Sequence, residues 1–298
     1  MKAQRKATGP TERSNPVSRH IDSASSLRIA QIINREDQQI ALAVKAQLQP
    51  ISQAIEMARE ALSQGGRLFY VGAGSSGRLG VLDAVECPPT FGVSPKLVQG
   101  ILAGGKRAFG LSAEGAEDDQ HAGAQAMRQV GVHSKDIICG ISASGKTRFV
   151  RGALAEAKRR KARRVLISCH PFPEIAPLAE VVINPVVGPE VIAGSTRLKA
   201  GTATKMILNM ISTGAMIRLG RVCGNWMVDV KPSSAKLRER ALGIVMSILG
   251  CSRNRAQKLL HLGRGRTKVA IVMGAKGCSP REAEKLLAEK EGFLKGII

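Results

Sequence analysis

Five short apolar runs, separated by longer stretches of helical character, dominate the middle of this 298-residue sequence. The helix-compatible stretches lie near residues 77–86, 107–129 and 147–162. Apolar runs that alternate with helices in this way are typical of strands buried on both faces of a parallel sheet. The pattern therefore predicts an α/β fold. The expected strands are Leu68–Val71, Leu97–Leu102, Ile137–Ile141, Val165–Ser168 and Val181–Ile183.

The regions on both sides of the expected sheet have helical rather than strand character. Residues 1–20 are polar and typical of an arm. Apolar residues then recur at helical spacing over 21–64, where Pro50 is expected to break or open a helix. A further helix after residue 198 and a small helical bundle over 237–298 are also expected. The predicted parts are an N-terminal arm with helices (1–57), a sheet domain (58–221) and a small C-terminal all-helical domain (222–298).

The balance of charged residues is strongly basic. Lys and Arg number 45 and Asp and Glu number 23, which gives a formal net charge of +22. Such a charge first suggests a nucleic acid or another polyanion as partner. Aromatic residues make up only 3% of the chain, whereas single-stranded nucleic-acid binders stack bases on aromatic side chains. A nucleic-acid partner is therefore not expected.

One run, Lys158–Arg164, has six basic residues in seven and ends an expected helix. Cations at this position oppose the negative end of the helix dipole. The run is interpreted as a solvated cationic helix end, with a binding patch for a polyanion as the alternative.

The six cysteines occur without a Cys-x-x-Cys pair or an accompanying histidine cluster. This pattern disfavours both a zinc site and a disulfide framework. Cys139 and Cys169 lie within apolar runs, where a reduced cysteine acts as a small core residue. No secretory signal and no uninterrupted apolar stretch of about 18 residues is visible. We therefore expect a reduced, cytoplasmic protein without metal or membrane span.

The segment Gly72–Arg78, here called the first loop, follows an expected strand and opens an expected helix. Small residues let its backbone close around an anion, and the amides at a helix N-terminus attract one. Its glycines match the G-x-G-x-x-G dinucleotide fingerprint, but no acidic residue follows the next expected strand to hold a ribose. Ser75 and Ser76 favour a phosphate on a small molecule instead. An ordinary tight strand-to-helix turn is the alternative.

The segment Gly140–Thr147, here called the second loop, also follows an expected strand. It formally matches the P-loop pattern G-x-x-x-x-G-K-[ST]. A P-loop NTPase also needs a carboxylate at the end of a neighbouring strand to hold magnesium. The candidate strands end in Ser168-Cys169-His170 and in Asn184-Pro185, which supply none. We therefore interpret the segment as a second phosphate loop and keep a P-loop kinase as an alternative.

Two acidic segments are candidates for acid–base chemistry. Glu86 precedes Cys87-Pro88-Pro89, which is expected to stop a helix. Glu114, Glu117 and Asp118 share one face of an expected helix by their i, i+3, i+4 spacing. An acid–base enzyme needs two carboxylates with differently tuned pKa values. Solvated helix acids or salt-bridge partners are the alternative interpretation.

Residues 188–205 combine Gly, Ser, Thr and Lys at an expected helix start. This composition suits an anion or sugar hydroxyls. Close helix packing through small residues is the alternative.

Taken together, these segments resemble the sugar-isomerase (SIS) domain family and, more narrowly, the bacterial N-acetylmuramic acid 6-phosphate etherases. The resemblance covers nearly the whole chain, and its most specific motifs are Glu86–Thr90 and Gly194–Gly201. It departs at Ser144–Phe149, which reads Ser-Gly-Lys-Thr-Arg-Phe where relatives usually carry Ser-Gly-Arg-Thr-Pro-Tyr. The segments that carry it are Thr11–Pro16, Ile21-Asp22, Ile32–Asp37, Gly72–Gly80, Leu82–Thr90, Glu114–Asp118, Ala143–Thr147, Gly194–Thr202 and Asn225–Val230.

The resemblance implies an SIS-type parallel sheet flanked by helices, and a homodimeric cytoplasmic enzyme of cell-wall recycling that needs no metal or other cofactor. Its reaction would cleave the lactyl ether of N-acetylmuramic acid 6-phosphate by elimination and hydration, giving N-acetylglucosamine 6-phosphate and D-lactate. Glu86 would protonate the departing lactate oxygen, and Glu117 would be the second acid/base group. The implied phosphate-binding residues are Ser75, Ser76, Gly77, Ser142, Ser144, Gly145 and Thr147, and the possible further substrate contacts are Glu190, Ser195 and Lys199.

Two other functions stay open on the sequence. A non-catalytic sugar-phosphate-sensing regulator can share the SIS fold, as the glucokinase regulatory protein does with two SIS modules. A P-loop-type kinase would use Gly140–Thr147. Release of D-lactate distinguishes the etherase from both, and ATP binding that requires Lys146 and magnesium would identify the kinase.

Overall fold

The computed structural model describes residues 9–111, 113, 115–230, 232 and 234–298. The described residues form two compact units. The first unit lies within Met1–Val85 and Lys96–Ser212, and the second within Glu86–Pro95 and Thr213–Ile298. The domain limits assigned from the sequence at residues 58 and 222 stay a prediction.

The first unit is built on a five-stranded sheet in which all neighbouring strands are parallel. Its strands are β1 (Leu68–Gly72), β2 (Val98–Leu102), β3 (Ile137–Ile141), β4 (Arg163–Ile167) and β5 (Val181–Ile183). They lie in the order β2-β1-β3-β4-β5. β1 and β3 are buried along their whole length, which explains why their sequences are uninterrupted apolar runs. The predicted parallel α/β sheet is confirmed.

Helices precede the sheet and connect its strands. Pro50 occupies the third position of a helix, where the backbone N–H has no helical partner, so it opens that helix as expected. The last helix of this group and the one that follows β1 both continue into the second unit. The helices are α1 (Ser26–Asp37), α2 (Ile40–Lys45), α3 (Leu48–Ser63), α4 (Gly74–Phe91), α5 (Arg107–Gly110), α6 (Gln120–Gln129), α7 (Arg148–Arg159) and α8 (Lys199–Arg218).

The stretch 107–129, expected to be helical throughout, is interrupted. α5 has four residues, and α6 begins only at Gln120. Between them Gly115 adopts φ +76, a left-handed conformation that an α-helix does not contain. The prediction of a continuous helix is therefore wrong, because small and polar residues in this segment favour turns over a packed helical face.

The segment interpreted as an arm is packed from Thr11 onward. Thr11, Asn15 and Ser18 are buried. The Ser18 hydroxyl donates to the carbonyl of Val191 at 2.7 Å, and the Gly194 amide donates to the carbonyl of Thr11 at 2.9 Å. These contacts attach the N-terminal segment to the loop that precedes α8.

The second unit is helical and has its own apolar core, which includes Val245, Ile271 and Leu287. Ser279 and Glu282 form a reciprocal capping box with Pro280 at the first helical position, as the Ser-Pro sequence predicted. The helical C-terminal region is thus confirmed. Its helices are α9 (Ala235–Leu249), α10 (Arg253–Leu262), α11 (Thr267–Lys276) and α12 (Pro280–Glu289).

Among the described residues, no helix combines the length and apolar character needed to cross a membrane. Nowhere in the described part of the chain do three or more His, Cys, Asp or Glu side chains lie close enough together to hold a metal ion. Cys139 and Cys169 are buried core residues, as predicted. Burial raises the pKa of the Cys169 thiol to about 12, so it stays protonated and unreactive.

Candidate active site

The first and second loops lie at the same edge of the sheet. β1 and β3 are parallel neighbours, and their last residues, Gly72 and Ile141, are partners in the register. The chain leaves β1 towards β2 on one side, while β3 lies on the other. Ligands of open α/β sheets bind at the carboxyl ends of the strands, at such a switch point. The structure therefore brings the two predicted phosphate loops together.

In the first loop, glycine permits a close approach of helix and strand. A Cβ on Gly77 would lie 2.5 Å from the carbonyl oxygen of Gly72, so packing alone accounts for this glycine. Ser75 and Ser76 are half-buried in the first turn of α4. The free amides and positive dipole end of this turn attract anions. Close packing is thus a second role for Gly77, and Ser75, Ser76 and Gly77 all stay predicted phosphate ligands.

In the second loop, the hydroxyl groups of Ser142 and Thr147 bind each other. Ser142 is buried, and its Oγ lies 2.8 Å from Thr147 Oγ1 and accepts from the Thr147 amide at 3.3 Å. Gly145 adopts φ +71, and a Cβ there would lie 2.4 Å from Cβ of Pro173. Ser144 is half-buried and accepts a long hydrogen bond of 3.4 Å from the Lys146 amide. All four stay predicted phosphate ligands, and their contacts indicate that Ser142, Gly145 and Thr147 also shape the loop.

Glu117 lines one cleft of the first unit, here called the Glu117 cleft, whose volume is about 380 Å³. Three residues of the first loop, Ala73, Gly74 and Arg78, line it too, whereas Ser75 and Ser76 are not part of its lining. Arg78 was not among the predicted site residues. Its guanidinium donates to the carbonyls of Ala108, Phe109 and Leu111 at 2.8–3.1 Å, so it fixes the segment that borders the cleft. Its position directly after the last glycine of the motif is the signal that could have identified it.

The acidic segment around Glu117 is a turn rather than an α-helix. Glu117 and Asp118 belong to a single 3₁₀ turn, Ala116–Asp118. The predicted shared helical face is therefore wrong for these two residues, because the left-handed Gly115 interrupts any helix before them. Glu114 lies outside the described residues. Glu117 is exposed on the turn and accessible from the cleft that it lines.

The expected helix stop at Cys87-Pro88-Pro89 is also wrong, since α4 continues to Phe91. Each proline lacks an N–H, so two carbonyl groups one turn earlier lose their helical donors. Cys87 and Phe91 are buried, and the packing of these side chains holds the last turn in helical conformation. The helix ends at Gly92, which adopts φ +66 and donates its amide to the Pro88 carbonyl at 2.9 Å.

Glu86 is therefore an exposed side chain within α4 and not a residue at its end. It follows Ser75 by eleven positions, so the helical rise places its Cα about 16 Å further along the axis. Glu86 belongs to the second unit, and Ser75 and Glu117 belong to the first. Along the chain, then, α4 links the first loop to this acid.

Comparison with known proteins identifies the family. Residues 50–158 match the model of the glucokinase regulatory protein N-terminal SIS domain. The N-acetylmuramic acid 6-phosphate etherase of Glaesserella parasuis serovar 5 (strain SH0165) is 51% identical over 260 residues, which are 87% of this chain and 86% of that protein. The N-acetylmuramic acid 6-phosphate etherase of Klebsiella aerogenes is 48% identical over 285 residues, 96% of this chain and 95% of that protein. This chain belongs to the N-acetylmuramic acid 6-phosphate etherase family.

In this etherase family member, the predicted contacts Glu190 and Lys199 have partners within the protein. Glu190 is fully buried and accepts from the amides of Lys199 and Ala200 at 2.8 and 3.0 Å, which caps α8. Burial raises the pKa of Glu190, although these two amides oppose the shift. Lys199 Nζ lies 2.6 Å from Glu36, which also accepts from Asn15 at 2.7 Å. Burial alone would raise the pKa of Glu36, but the hydrogen bonds from Lys199 and Asn15 outweigh this effect and lower the pKa.

The third predicted contact, Ser195, is half-buried in the turn before α8. Its carbonyl accepts from the Leu198 amide at 3.2 Å. All three residues stay predictions as substrate contacts. Their surroundings show in addition that they anchor the start of α8.

The arginines of the basic run 158–164 bind acids of the same unit. Arg159 and Arg160 each contact Glu156 at 2.7 Å. Arg163 and Arg164 contact Glu180 at 2.9 and 3.1 Å. Lys158, Arg159 and Lys161 are exposed, which agrees with a solvated helix end, and the pairing of the arginines with acids does not favour the alternative of a polyanion patch.

Proposed function

We propose that this chain is an etherase that cleaves the D-lactyl ether of N-acetylmuramic acid 6-phosphate to N-acetylglucosamine 6-phosphate and D-lactate. The observation that carries the proposal is the register of β1 and β3, which ends these strands side by side just before the two loops, while Gly74 and Arg78 of the first loop line the Glu117 cleft. Its relatives named N-acetylmuramic acid 6-phosphate etherase, at 45–51% identity, give it independent support. The reaction takes place in cell-wall recycling.

The 6-phosphate binds between the two loops. Ser75, Ser76 and Ser144 donate hydroxyl hydrogen bonds to it, and the first-turn amides of α4 add further donors. Ser142 and Thr147, whose hydroxyls lie 2.8 Å apart, hold the shape of the second loop. The cleft of about 380 Å³ is in the range of small-molecule sites, roughly 300–1,000 Å³.

The reaction proceeds by elimination and then hydration. The open-chain sugar presents an aldehyde, which acidifies the hydrogen on C2. Glu117 removes this proton, a C2–C3 double bond forms and the C3–O bond breaks, while Glu86 protonates the departing lactate oxygen. Water then adds its hydroxyl to C3 and its hydrogen to C2, so that one water is consumed per ether cleaved. Atoms and charges balance without a metal or redox cofactor.

The test is incubation of the full chain with N-acetylmuramic acid 6-phosphate and an assay of released D-lactate. The expected result is stoichiometric D-lactate and N-acetylglucosamine 6-phosphate. Glu86→Gln and Glu117→Gln are each expected to lower kcat by about 10³-fold, as is typical for loss of a general acid or base, with sugar-phosphate affinity little changed.

Asp118→Asn is the matched control, since it neutralises an exposed acid of the same 3₁₀ turn. It is expected to keep near-normal turnover. A folded wild-type chain that releases no D-lactate would contradict the proposed function. Full turnover by Glu86→Gln or Glu117→Gln would instead exclude the role given to that residue.

A second candidate function, a non-catalytic regulator that senses sugar phosphate, rests on the match of residues 50–158 to an SIS domain of a regulatory protein. Saturable binding of the substrate without D-lactate release would favour it. The kinase alternative has less support. β1 and β4, which flank β3, are followed by Ala73-Gly74 and Ser168-Cys169, so neither offers a carboxylate for magnesium.

The proposal includes a homodimer whose interface lies beside the first loop. A groove of about 490 Å³ in the first unit is lined by Ser75, Arg78 and the apolar side chains of Leu82 and Met206. Leu82 is 40% exposed. A second copy that covers this groove buries these side chains. Because Arg78 lines both the groove and the Glu117 cleft, the interface adjoins the site.

The six cysteines, all free thiols, are consistent with a reducing compartment, so we assign the enzyme to the cytoplasm.

A further inference from the structure

The second unit contains a cavity of about 370 Å³ at the first turn of α11. Four basic residues line it: Arg221, Arg264, Arg266 and Lys268. The motif Asn225–Val230, which the proposed etherase reaction does not use, supplies another part of the wall through Val228, Asp229 and Val230. We propose that this cavity is a separate binding site for a small phosphate monoester.

A buried hydroxyl in the wall lacks a partner. Thr267 is 2% exposed and lines the cavity. Its Oγ1 has no hydrogen-bond partner among the described residues, and the same holds for the buried Nε of Arg221. A buried polar atom without a partner costs free energy, and a bound ion is one way in which a protein offsets that cost. Both atoms are donors, which an anion would satisfy.

The backbone adds further donors. α11 has ten residues and begins at Thr267, and its first helical hydrogen bond runs from the Ala270 amide to the Arg266 carbonyl. The amides of Thr267, Lys268 and Val269 precede that bond and have no acceptor within the helix. No side chain caps this terminus. These three amides and the positive dipole end converge here, as in known phosphate sites.

The charges of the cavity favour an anion. Asp229 is already occupied, because its Oδ2 accepts from Lys268 Nζ at 2.6 Å and from Arg221 at 3.2 Å. Lys268 Nζ also donates to the Gly220 carbonyl at 2.9 Å. Arg266 pairs with Glu284. The four basic side chains thus face two carboxylates, which leaves the lining positive.

The size and apolar part of the wall indicate more than an inorganic ion. Val228, Val230 and Leu287 line the cavity beside the basic groups. Its volume is near the lower end of the range for small-molecule sites, roughly 300–1,000 Å³. A phosphate group at the α11 terminus, esterified to a short organic chain that contacts the apolar side chains, fits both halves of the lining.

The test is hydrogen–deuterium exchange of the full chain with inorganic phosphate or glycerol 3-phosphate as probe. The expected result is slower amide exchange in peptides that cover residues 264–270, with tighter binding of the ester than of the inorganic ion. Thr267→Val preserves shape and removes the hydroxyl, and Arg264→Gly suits the φ of +53 at that position. Each is expected to weaken probe binding at this site by about tenfold.

Arg281→Ala is the matched control, because it removes an exposed cation of the same unit, on α12. It is expected to leave the protection unchanged. Unaltered exchange at 264–270 in saturating probe would overturn the proposal, and so would protection that persists in both cavity variants. Thr267→Val removes an unsatisfied buried hydroxyl, so it is also expected to raise the thermal midpoint measured without probe. The same melting curve shows that the variant folds. The proposed etherase reaction uses none of the residues that line this cavity, so the two proposals fail independently.

Discussion

At the scale of single residues, several candidates have a second, structural task. The family resemblance implied Ser142, Gly145 and Gly77 as phosphate ligands, and each also has a packing or hydrogen-bonding role that the structure defines. Glycine and serine suit both phosphate binding and the close packing of a loop, so the sequence pattern does not distinguish the two roles. Arg78 was missed for the converse reason. Its partners are backbone carbonyls some thirty residues away, so the sequence signals Arg78 through its position directly after the last glycine of the motif and not through these contacts.

Glu156 gives a prediction about pH at this scale. Its side chain is 5% exposed, and hydrogen bonds from Arg159 and then Arg160, against the opposing effect of burial, lower its pKa from 4.5 to about 2. Because the unfolded chain takes up this proton at higher pH than the folded chain, the stabilisation is complete above pH 4.5 and is lost as pH falls towards 2. We expect Glu156→Gln to lose less stability than the wild type as the pH falls from 4.5 towards 2. At pH 7 it should cost about 1–3 kcal/mol.

Urea unfolding at pH 7 and at pH 3 measures this effect. Glu289→Gln is the control, since Glu289 is exposed and lies 3.9 Å from Lys285, a surface pair worth little. The control should follow the wild-type pH dependence. The same dependence in Glu156→Gln would show that this carboxylate does not stabilise the fold at neutral pH.

At the scale of elements, the strands were predicted, whereas the end of α4 and the break between α5 and α6 were not. Buried parallel strands leave apolar runs that local sequence displays directly, and all five predicted runs overlap the observed strands. The strand order depends on contacts between distant residues, so no run could indicate it. α4 passes through Pro88 and Pro89 because the buried Cys87 and Phe91 stabilise its last turn, a tertiary effect that overrides local propensity.

The packing of α6 on α7 yields an element-scale prediction. A Cβ on Gly152 would lie 1.9 Å from the carbonyl oxygen of Gln120, and a Cβ on Gly123 would lie 1.9 Å from that of Phe149. Since backbone atoms cannot yield as a side chain does, Gly152→Ala must push the helices apart. We expect the free energy of unfolding, measured with urea, to fall by about 3 kcal/mol. Gly110→Ala, which meets no atom within 4 Å, is the control and should change stability by less than about 0.5 kcal/mol. Equal stability of the two variants would contradict this close contact.

At the scale of the whole molecule, the net charge of +22 indicated a polyanion and proved a poor guide to function. Part of it is neutralised within the units, where Arg159 and Arg160 share Glu156 and Arg163 and Arg164 share Glu180. The remainder attracts anionic ligands of any kind. In the proposed function, the placement of the two loops by the sheet, and not the charge, selects a phosphorylated sugar among them.

The oligomer is the property of the whole molecule that the proposed site depends on. We expect the wild type to sediment as a dimer of the 31.6 kDa chain. Leu82→Asp sets a charge into the groove beside the first loop, and it should yield folded monomers with strongly reduced D-lactate release, because desolvating a carboxylate in an interface is costly. Leu27→Asp alters a more exposed apolar residue, 70% exposed on α1, and is the control expected to stay dimeric. Analytical ultracentrifugation across micromolar concentrations, with circular dichroism to verify folding, decides the outcome. A wild-type monomer with full activity would remove the interface from the proposal, whereas a dimeric Leu82→Asp would move it to another surface. If monomerisation and loss of turnover occur together, the groove that adjoins the Glu117 cleft through Arg78 is where a second copy completes the site.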